Sequence, residues 1–222
     1  MLSKLKNILN QCLFKFRFKR RWRALNQQLG SPSSKEYEEY LKLQLLRSYG
    51  KAASSLQKRT VLFIDQLAEL IDLKNLEVLC VGCRNTHELD YFEKKGVRRV
   101  TGIDLHSDDP RVLVRDMHDT KFADRQFDLV YSSHSLEHSL KPETAAREWA
   151  RILQPRGIIA IETPIRFNPR GADLNDYGSA ARLLDYFKEF AGEIILSTEQ
   201  PAESELNPSK TEIAQVIFHT KE

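Results

Sequence analysis

Short apolar runs alternate with helical or loop stretches from residue 77 onward, and this alternation restricts the possible folds more than any other feature. Five runs have the length and residue types of strands: 77–81, 99–104, 111–114, 127–132 and 157–163. The stretches at 86–95 and 142–154 between them have helical patterns. Strand alternating with helix is typical of an α/β protein with a doubly wound, mostly parallel sheet that carries helices on both faces.

Two further strands are predicted near the end of the chain, after a helix at 179–190. They cover 193–198 and 212–220, and no clear helix connects them. Strands joined without a crossover helix can run side by side in opposite directions, so we expect an antiparallel pair at one edge of the sheet.

Three parts are predicted along the chain: a basic amphipathic segment at 1–30, a helical lead-in at 31–75 and the α/β domain at 76–222. The sequence GSPSSK at 30–35 has the composition of a linker. The lead-in contains two predicted helices, one over 37–50 that ends at Gly50 and one over about 54–71.

Charge is unevenly distributed along the 222 residues, whose net charge is +3. Residues 1–35 hold nine of the 34 basic residues and no acid, so the rest of the chain has 25 basic against 31 acidic residues. A basic tail on a mildly acidic body indicates an anionic partner for the tail. No apolar run approaches the ~20 residues of a membrane-spanning helix, and charges interrupt any signal-peptide core.

Apolar residues in this tail recur at helical spacing: Leu2, Leu5, Leu9, Cys12 and Phe16. A helix with this stripe can lie on an anionic membrane surface through residues 1–25, with Trp22 and the phenylalanines at the interface. The alternatives are a helix packed on the body, a mitochondrial transit peptide and, less favoured, a nucleic-acid-binding arm. We expect a cytoplasmic protein that can bind a membrane peripherally.

Polar residues follow the predicted strands where a doubly wound sheet binds its ligands. Gly82 follows the first strand, and Asp104 ends the second strand 22 positions further on. This is close to the ~20-residue spacing at which an acid meets the hydroxyl pair of a ribose. A carboxylate can accept both hydrogen bonds of such a diol. A turn or helix cap is the structural alternative for Asp104.

The motifs between 103 and 164 resemble the class I S-adenosylmethionine-dependent methyltransferases, and within them the small-molecule group with an LEH motif. The shared pieces are Asp104, the pair Asp116-Met117, FDLVYSS at 127–133 followed by LEH at 136–138, a helix with Glu148 and Arg151, and Pro155 and Gly157 before the fifth strand. The resemblance covers about residues 76–164. It implies a Rossmann-like, seven-stranded fold of the methyltransferase type, with S-adenosylmethionine as the cofactor.

The resemblance also implies roles for particular residues. Asp104 would bind the ribose hydroxyls, Asp116 would accept from the adenine amino group, and Met117 would lie against the adenine ring. Gly82 would let the first loop pass close to the cofactor. Ser132, at the end of the fourth strand, is a further candidate for cofactor contact.

The first loop departs from the family pattern, in which an acid is followed by three alternate glycines. Only Gly82 remains, because Cys80 stands at the acid position and Arg84 and Thr86 stand at glycine positions. A Cβ crowds a backbone path that needs positive φ. Glu88 can replace the missing acid, and Arg84 can meet the cofactor carboxylate. The alternative is a chain that has lost the cofactor and acts as a catalytically inactive, methyltransferase-like binding or scaffold protein.

Cys80 and Cys83 form a C-x-x-C pair, but the sequence does not favour a metal or redox site. Zinc normally needs four ligands, and the remaining cysteine, Cys12, lies in a separate segment. A redox pair would lie at a helix N-terminus, whereas Cys80 falls within the first strand. We therefore expect buried thiols and no metal.

Histidines after the fourth strand are the candidates for catalysis. Methyl transfer to a hydroxyl needs alignment of the reactants and removal of a proton. His134 follows the strand directly and His138 ends the LEH motif, so both are candidate bases; a hydrogen-bonding role without chemistry is the alternative. The acceptor is expected to be a small molecule, a glycan or a lipid-linked compound. Arg166 and Arg170, in the loop at 165–178, are candidates for recognising an acidic group on it.

Overall fold

The computed structural model describes the backbone of residues 2–51 and 54–222 and the side chains of residues 14–50 and 54–222. The helices are α1 (Leu2–Leu29), α2 (Lys35–Lys51), α3 (Lys58–Leu70), α4 (His87–Lys94), α5 (Pro142–Ile152) and α6 (Ala180–Asp185). The strands are β1 (Glu77–Val81), β2 (Arg99–Asp104), β3 (Val112–Val114), β4 (Phe127–Ser133), β5 (Leu153–Pro164), β6 (Ala191–Gln200) and β7 (Ile213–Thr220). A 3₁₀ turn, Leu136–His138, lies between β4 and α5.

The seven strands form one sheet in the order β3-β2-β1-β4-β5-β7-β6. β1 pairs in parallel with both β2 and β4, so the strand order reverses between them. β7 enters between β5 and β6 and runs antiparallel to both. The predicted mostly parallel sheet with an antiparallel pair at one edge is thus confirmed.

Each face of the sheet buries its own apolar cluster, because successive residues of a strand point to opposite faces. Leu79 and Val130 point toward the cluster that contains Trp149 of α5. Cys80 and Tyr131 point toward the other cluster, which contains residues of α3 and α4. Helix α5 forms because Pro142 starts it and its apolar residues recur on one side: Ala145, Ala146, Trp149 and Ile152.

Several element boundaries differ from those predicted, among them those of α2, β5 and α6. Helix α2 continues through Gly50 to Lys51, since this glycine adopts helical geometry and has open space around its Cα. Strand β5 begins at Leu153 because a register shift opposite Phe127 takes up the extra residues of the predicted Pro-x-Gly turn. Helix α6 ends at Asp185, and turns follow it up to β6.

Helix α1 packs on the rest of the chain through its second half. Leu25 is buried, and Arg21 forms an ion pair of 2.6 Å with Asp108 after β2. Trp22, which we expected at a membrane interface, lies instead under the ammonium group of Lys42, 5.1 Å from the ring centre. The predicted apolar stripe from Leu2 to Cys12 lies outside the residues whose side chains are described. Within the described part of the chain, every helix is too short or too polar to cross a bilayer.

Candidate active site

The carboxyl ends of β1, β2, β3 and β4 meet at one edge of the sheet and bring four separate loops together. Gly82 follows β1, Asp104 ends β2, Asp116 follows β3 and His134 follows β4. All four residues line one cavity of about 550 Å³, part of which is open to solvent. The carboxyl ends of the strands at such a switch point are where open α/β sheets bind small molecules and cofactors.

Helix α2 forms the roof of this cavity, which the sequence did not indicate. It contributes Tyr40, Gln44, Arg47 and Ser48 to the lining, while the strand ends contribute the predicted residues Gly82, Arg84, Asp104, Asp116, Met117, His134 and His138. Gln44 is held over the cavity because its side-chain amide donates to the carbonyl groups of Ala172, at 3.0 Å, and of His138, at 3.3 Å.

Asp104 is almost fully buried at the end of β2. Its carboxylate accepts from the Ser48 hydroxyl, from the backbone N–H of Arg84 at 2.9 Å and from the backbone N–H of His106 at 3.4 Å. Burial raises the pKa of Asp104, although the hydrogen bond from Ser48 and the charge of Arg84 lower it in part. The carboxylate therefore lies in a site that a polar ligand would stabilise.

Asp116 is buried as well, but its surroundings favour the ionised form. The backbone N–H and the Nδ1 of His118 lie 2.9 and 2.6 Å from Oδ1, and the Tyr37 hydroxyl donates to Oδ2. The backbone N–H of Lys141 donates to Nε2 of His118, so Nδ1 is the protonated nitrogen. Burial opposes ionisation of Asp116, but the hydrogen bonds from His118 and Tyr37 outweigh it and lower the pKa.

The loop after β1 has one residue that must be glycine. Gly82 has φ +77, and a Cβ on it would lie 2.1 Å from the Ser135 hydroxyl oxygen. Arg84 also has positive φ, +58, as predicted for a position where the family has glycine. The prediction is wrong for Thr86, whose φ is −86 because it starts α4 instead. One side chain, not two, is therefore strained in this loop.

A second, smaller cavity of about 370 Å³ lies on the other side of the Gly82–Arg84 loop. Its lining includes Arg59 and Thr60 of α3, Ser133 and the predicted Glu88. Burial raises the pKa of Glu88 to about 7, against the opposing charge of Arg84. One carboxylate oxygen of Glu88 and the Nε of Arg59 are buried without a hydrogen-bond partner, which leaves one acceptor and one donor available to a ligand.

His134 stands at the inner end of the main cavity in a strained conformation. Its φ is +52, and its backbone N–H donates to the carbonyl of Glu162 at 2.8 Å. The ring lies between two carboxyl groups, with Nε2 3.5 Å from Glu162 and Nδ1 3.8 Å from Glu137. Burial lowers the pKa of His134 well below its usual value, so the imidazole is neutral at pH 7. A neutral, buried imidazole can accept a proton.

His138 lies nearer to the loop at 165–178. Its Nδ1 is 3.0 Å from the carbonyl oxygen of Ala172 and 3.2 Å from a carboxylate oxygen of Asp173. Glu137, His138 and Asp173 bring three possible metal-ligand atoms within 4.8 Å of one another. Arg47 already pairs with Asp173 at 2.7 Å, so this group is arranged as an ion-pair network around the cavity.

The remaining predicted site residues lie away from the main cavity. Ser132 is fully buried and lines neither cavity, because strand alternation points Ser133 toward the smaller cavity instead. Arg166 forms ion pairs with Glu199 and Glu212 on the antiparallel edge, and Arg170 is exposed. The two arginines expected to recognise an acidic acceptor are therefore not part of the cavity lining.

Cys80 and Cys83 are both buried and free. Burial raises the pKa of each thiol well above its usual value. The thiolate is the form that binds metals and attacks disulfides, so this environment disfavours both uses. The Cys83 sulfur lies 3.9 Å from the carbonyl oxygen of Ile103 and packs between β1 and β2.

Comparisons with known proteins agree with this geometry. Residues 79–161 match the family model described as "Methyltransferase domain". Over residues 79–161 the chain is therefore similar to a methyltransferase domain. The matched stretch runs from β1 to β5 and so contains Gly82, Asp104, Asp116 and His134. This match, together with S-adenosylhomocysteine bound in a structure of the same fold, supports S-adenosylmethionine as the cofactor.

Solved structures share the fold of the methyltransferase domain at low sequence identity. A 1,6-didemethyltoxoflavin-N1-methyltransferase from Burkholderia thailandensis, with S-adenosylhomocysteine bound, is 16% identical, covers 86% of this chain and 93% of its own, and has a TM-score of 0.65. The [4+2]-cyclase SpnF is 17% identical, covers 82% of this chain and 93% of its own, and has a TM-score of 0.61. An S-adenosylmethionine-dependent methyltransferase from Mesorhizobium loti is 15% identical, covers 71% of this chain and 97% of its own, and has a TM-score of 0.55. No curated protein sequence matches the chain.

The residues at the strand ends fit this cofactor. Two buried carboxylates provide acceptors in the main cavity, and the unpartnered oxygen of Glu88 and Nε of Arg59 are available in the smaller one. The left-handed Gly82 keeps the loop between the two cavities tight against Ser135. The altered glycine loop thus leaves a polar cavity on each side of it.

Proposed function

We propose that the two cavities together bind S-adenosylmethionine, with the nucleoside in the main cavity and the amino-acid end in the smaller one. Asp104 accepts hydrogen bonds from the ribose hydroxyls, and Asp116 accepts from the adenine amino group with Met117 beside the ring. The burial and the ionised state of Asp116 support this role, because a buried carboxylate binds a donor strongly.

Residues of the Gly82–Glu88 stretch hold the amino-acid end. Arg84 and Arg59 bind the carboxylate group, and Glu88 binds the ammonium group in place of the acid that Cys80 has replaced. Burial keeps the pKa of Glu88 at about 7, so an ammonium ion beside it favours ionisation of this carboxyl. The unpartnered oxygen of Glu88 supports this assignment.

His134 acts as the general base toward the acceptor, and this proposal depends most on one observation: a neutral, strained imidazole lies in the same cavity as Asp104 and Asp116. The cofactor supplies an activated methyl group on a sulfonium centre. Nε2 of His134 has no hydrogen-bond partner and can remove a proton from a hydroxyl or amine. His138, whose ring lies beside Ala172 and Asp173, positions the acceptor.

The acceptor is a small polar molecule, a glycan or a lipid-linked compound with a hydroxyl or amine. The roof formed by α2 limits its size, and Gln44 and Arg47 offer polar groups to it. The 1,6-didemethyltoxoflavin bound to the Burkholderia thailandensis methyltransferase is a small molecule, which agrees with this size class.

The exposed face of α1 brings the enzyme to an anionic membrane surface. Four basic residues and one aromatic residue on this face are exposed: Lys15, Phe16, Arg17, Lys19 and Arg20. The opposite face packs on the body through Leu25. Basic charge flanking an exposed aromatic ring is the arrangement that binds anionic lipid headgroups.

A panel assay tests the catalytic part of this proposal. The wild-type protein is incubated with S-adenosylmethionine and with small hydroxyl and amine compounds, and S-adenosylhomocysteine release is measured. For an acceptor that reacts, His134→Asn is expected to lower kcat about 100-fold with little change in cofactor affinity. Equal kcat for wild type and His134→Asn would exclude His134 as the base.

A non-catalytic binding protein is the second candidate, and the departure at Arg84 and Cys80 favours it. The fold alone does not decide between the two, since one of the similar structures is a cyclase. Suppose that the chain binds S-adenosylhomocysteine but forms none from S-adenosylmethionine with any compound in the panel. That result would favour this candidate.

A further inference from the structure

The carboxylate of Asp104 accepts three hydrogen bonds from other residues of the chain. The Ser48 hydroxyl and the backbone N–H of His106 bind Oδ1, and the backbone N–H of Arg84 binds Oδ2. A carboxylate has about four lone-pair positions, so one remains. A ribose diol donates two hydrogen bonds, and only one of them can be accepted while Ser48 stays in place.

Asp116 is occupied in a similar way. His118 fills two positions on Oδ1, through its backbone N–H and its Nδ1. The Tyr37 hydroxyl occupies Oδ2, which is the oxygen that His118 leaves unused. Three of the about four positions are thus filled, and an adenine amino group that binds Asp116 from the cavity must share Oδ2 with the Tyr37 hydroxyl.

Both competing hydroxyls belong to α2. Ser48 and Tyr37 are eleven residues apart, which is close to three helical turns, so they lie on the same side of the helix. Each is a hydrogen-bond donor, as are the ribose hydroxyls and the adenine amino group. Ser48 lines the main cavity, whereas Tyr37 reaches Asp116 from a neighbouring cavity. Helix α2 thus places a donor at each of the two carboxylates where the proposed ligand would offer its own.

Other contacts keep α2 in place when these two hydroxyls move. Gln44 binds two backbone carbonyls, and Arg47 pairs with Asp173 at 2.7 Å. Rotation of the Ser48 and Tyr37 side chains would free positions on the carboxylates, while these contacts hold the helix as the roof of the site.

We propose that α2 is an internal competitor for the cofactor site: the hydroxyls of Ser48 and Tyr37 occupy Asp104 and Asp116 until S-adenosylmethionine displaces them. Ser48 and Tyr37 thereby set the cofactor affinity to a lower value than the carboxylates alone would give. This inference rests on the roles proposed above for Asp104 and Asp116.

Calorimetric titration of the full chain with S-adenosylhomocysteine tests the inference. Ser48→Ala and Tyr37→Phe each remove one competing donor, so each is expected to tighten binding roughly 10-fold, and the double variant more than either. Controls remove a hydroxyl away from the cavity: Tyr91→Phe removes the donor to the Asp65 carboxylate, and Ser107→Ala removes a hydroxyl that bonds the backbone of Asp109. The controls should bind as the wild type does.

Two outcomes would overturn the inference in distinguishable ways. If the wild type binds S-adenosylhomocysteine and both α2 variants, folded as judged by thermal unfolding, bind it equally or more weakly, the hydroxyls do not compete. If neither the wild type nor any variant binds it, the proposed roles of Asp104 and Asp116 fail, and the inference fails with them. Tyr37 and Ser48 are substituted separately. If one variant misfolds, the affinity of the other variant still tests the inference.

Discussion

Gly82 lies directly against Ser135: a Cβ on Gly82 would come within 2.1 Å of the Ser135 hydroxyl oxygen and 2.5 Å of its Cβ. The loop after β1 and the turn after β4 are therefore in contact across the switch point of the sheet. Ser135 also donates to the carbonyl oxygen of Gly82, at 3.3 Å. This contact fixes the wall between the two cavities, so it determines whether the proposed cofactor site exists at all.

Gly82→Ala is expected to destabilise the protein more than an equally left-handed glycine elsewhere. Both glycines have positive φ, +77 at Gly82 and +59 at Gly171. A Cβ at Gly82 would also clash with Ser135, whereas a Cβ at Gly171 would meet nothing within 4 Å. Left-handed strain costs about 1–3 kcal/mol, and the clash adds to it only at Gly82. Denaturant unfolding should therefore show the larger loss for Gly82→Ala, and Ser135→Gly in the same chain should recover part of it. Equal losses for the two alanine variants would contradict the contact.

Stability is expected to fall as pH rises from about 5 to 8, because Glu162 is buried. Burial raises the pKa of Glu162 to about 7, from a usual value of 4.5, against hydrogen bonds from Gln215 and Ser133. Between these two pH values the folded chain holds a proton that the unfolded chain releases, so the free energy of unfolding decreases with pH. Glu137 and Glu88, both also raised to about 7, act in the same direction.

Glu162→Gln should flatten this pH dependence. The amide keeps the size of the side chain and cannot ionise, so the variant is expected to gain about 3 kcal/mol relative to the wild type at pH 8 and little at pH 5. Urea unfolding at both pH values measures the difference, with Glu189→Gln at an exposed site as the control. A Glu162→Gln variant whose stability changes with pH as steeply as that of the wild type would refute the buried-acid account.

Anionic vesicles should bind the exposed face of α1. Replacing Arg17, Lys19 and Arg20 with glutamine is expected to weaken binding to phosphatidylserine-containing vesicles on the order of 100-fold, at about 1 kcal/mol per charge. Co-sedimentation measures this loss, and added salt should weaken binding of the wild type.

A charge-matched variant separates a specific surface from general positive charge. Lys58, Arg98 and Lys210 are exposed basic residues outside α1, and replacing them with glutamine removes the same net charge. This variant should retain vesicle binding. Equal binding by both triple variants, or binding of the wild type to RNA but not to vesicles, would rule out the membrane role of α1.

The fold could be predicted because its signal is local. Each strand and helix of the α/β domain has its own period, and the end of β2 indicated Asp104, whereas the family resemblance implied Asp116. Ser132 was predicted in the same way, but its neighbour Ser133 lines the smaller cavity instead. The position of a strand end in the sequence does not say toward which face of the sheet a side chain points.

The contribution of α2 could not be predicted in this way. Gln44 and Ser48 belong to a helix that reads as an ordinary amphipathic element, with Leu41 and Leu45 buried beside them. Their partners lie 56 or more positions further along the chain, so only the tertiary structure brings them to the cavity. Two polar residues within the buried stripe of α2 were the one available signal, since buried polar groups need partners.

Titration of the wild type and of Asp104→Asn with S-adenosylhomocysteine tests the central claim most directly. Asn keeps the shape of the side chain but has only one oxygen to accept the ribose hydroxyls, so binding should weaken at least about 10-fold. Asp109→Asn, in the exposed turn before β3, should bind as the wild type does. Measurable wild-type binding that is unchanged in Asp104→Asn would contradict the proposed cofactor site.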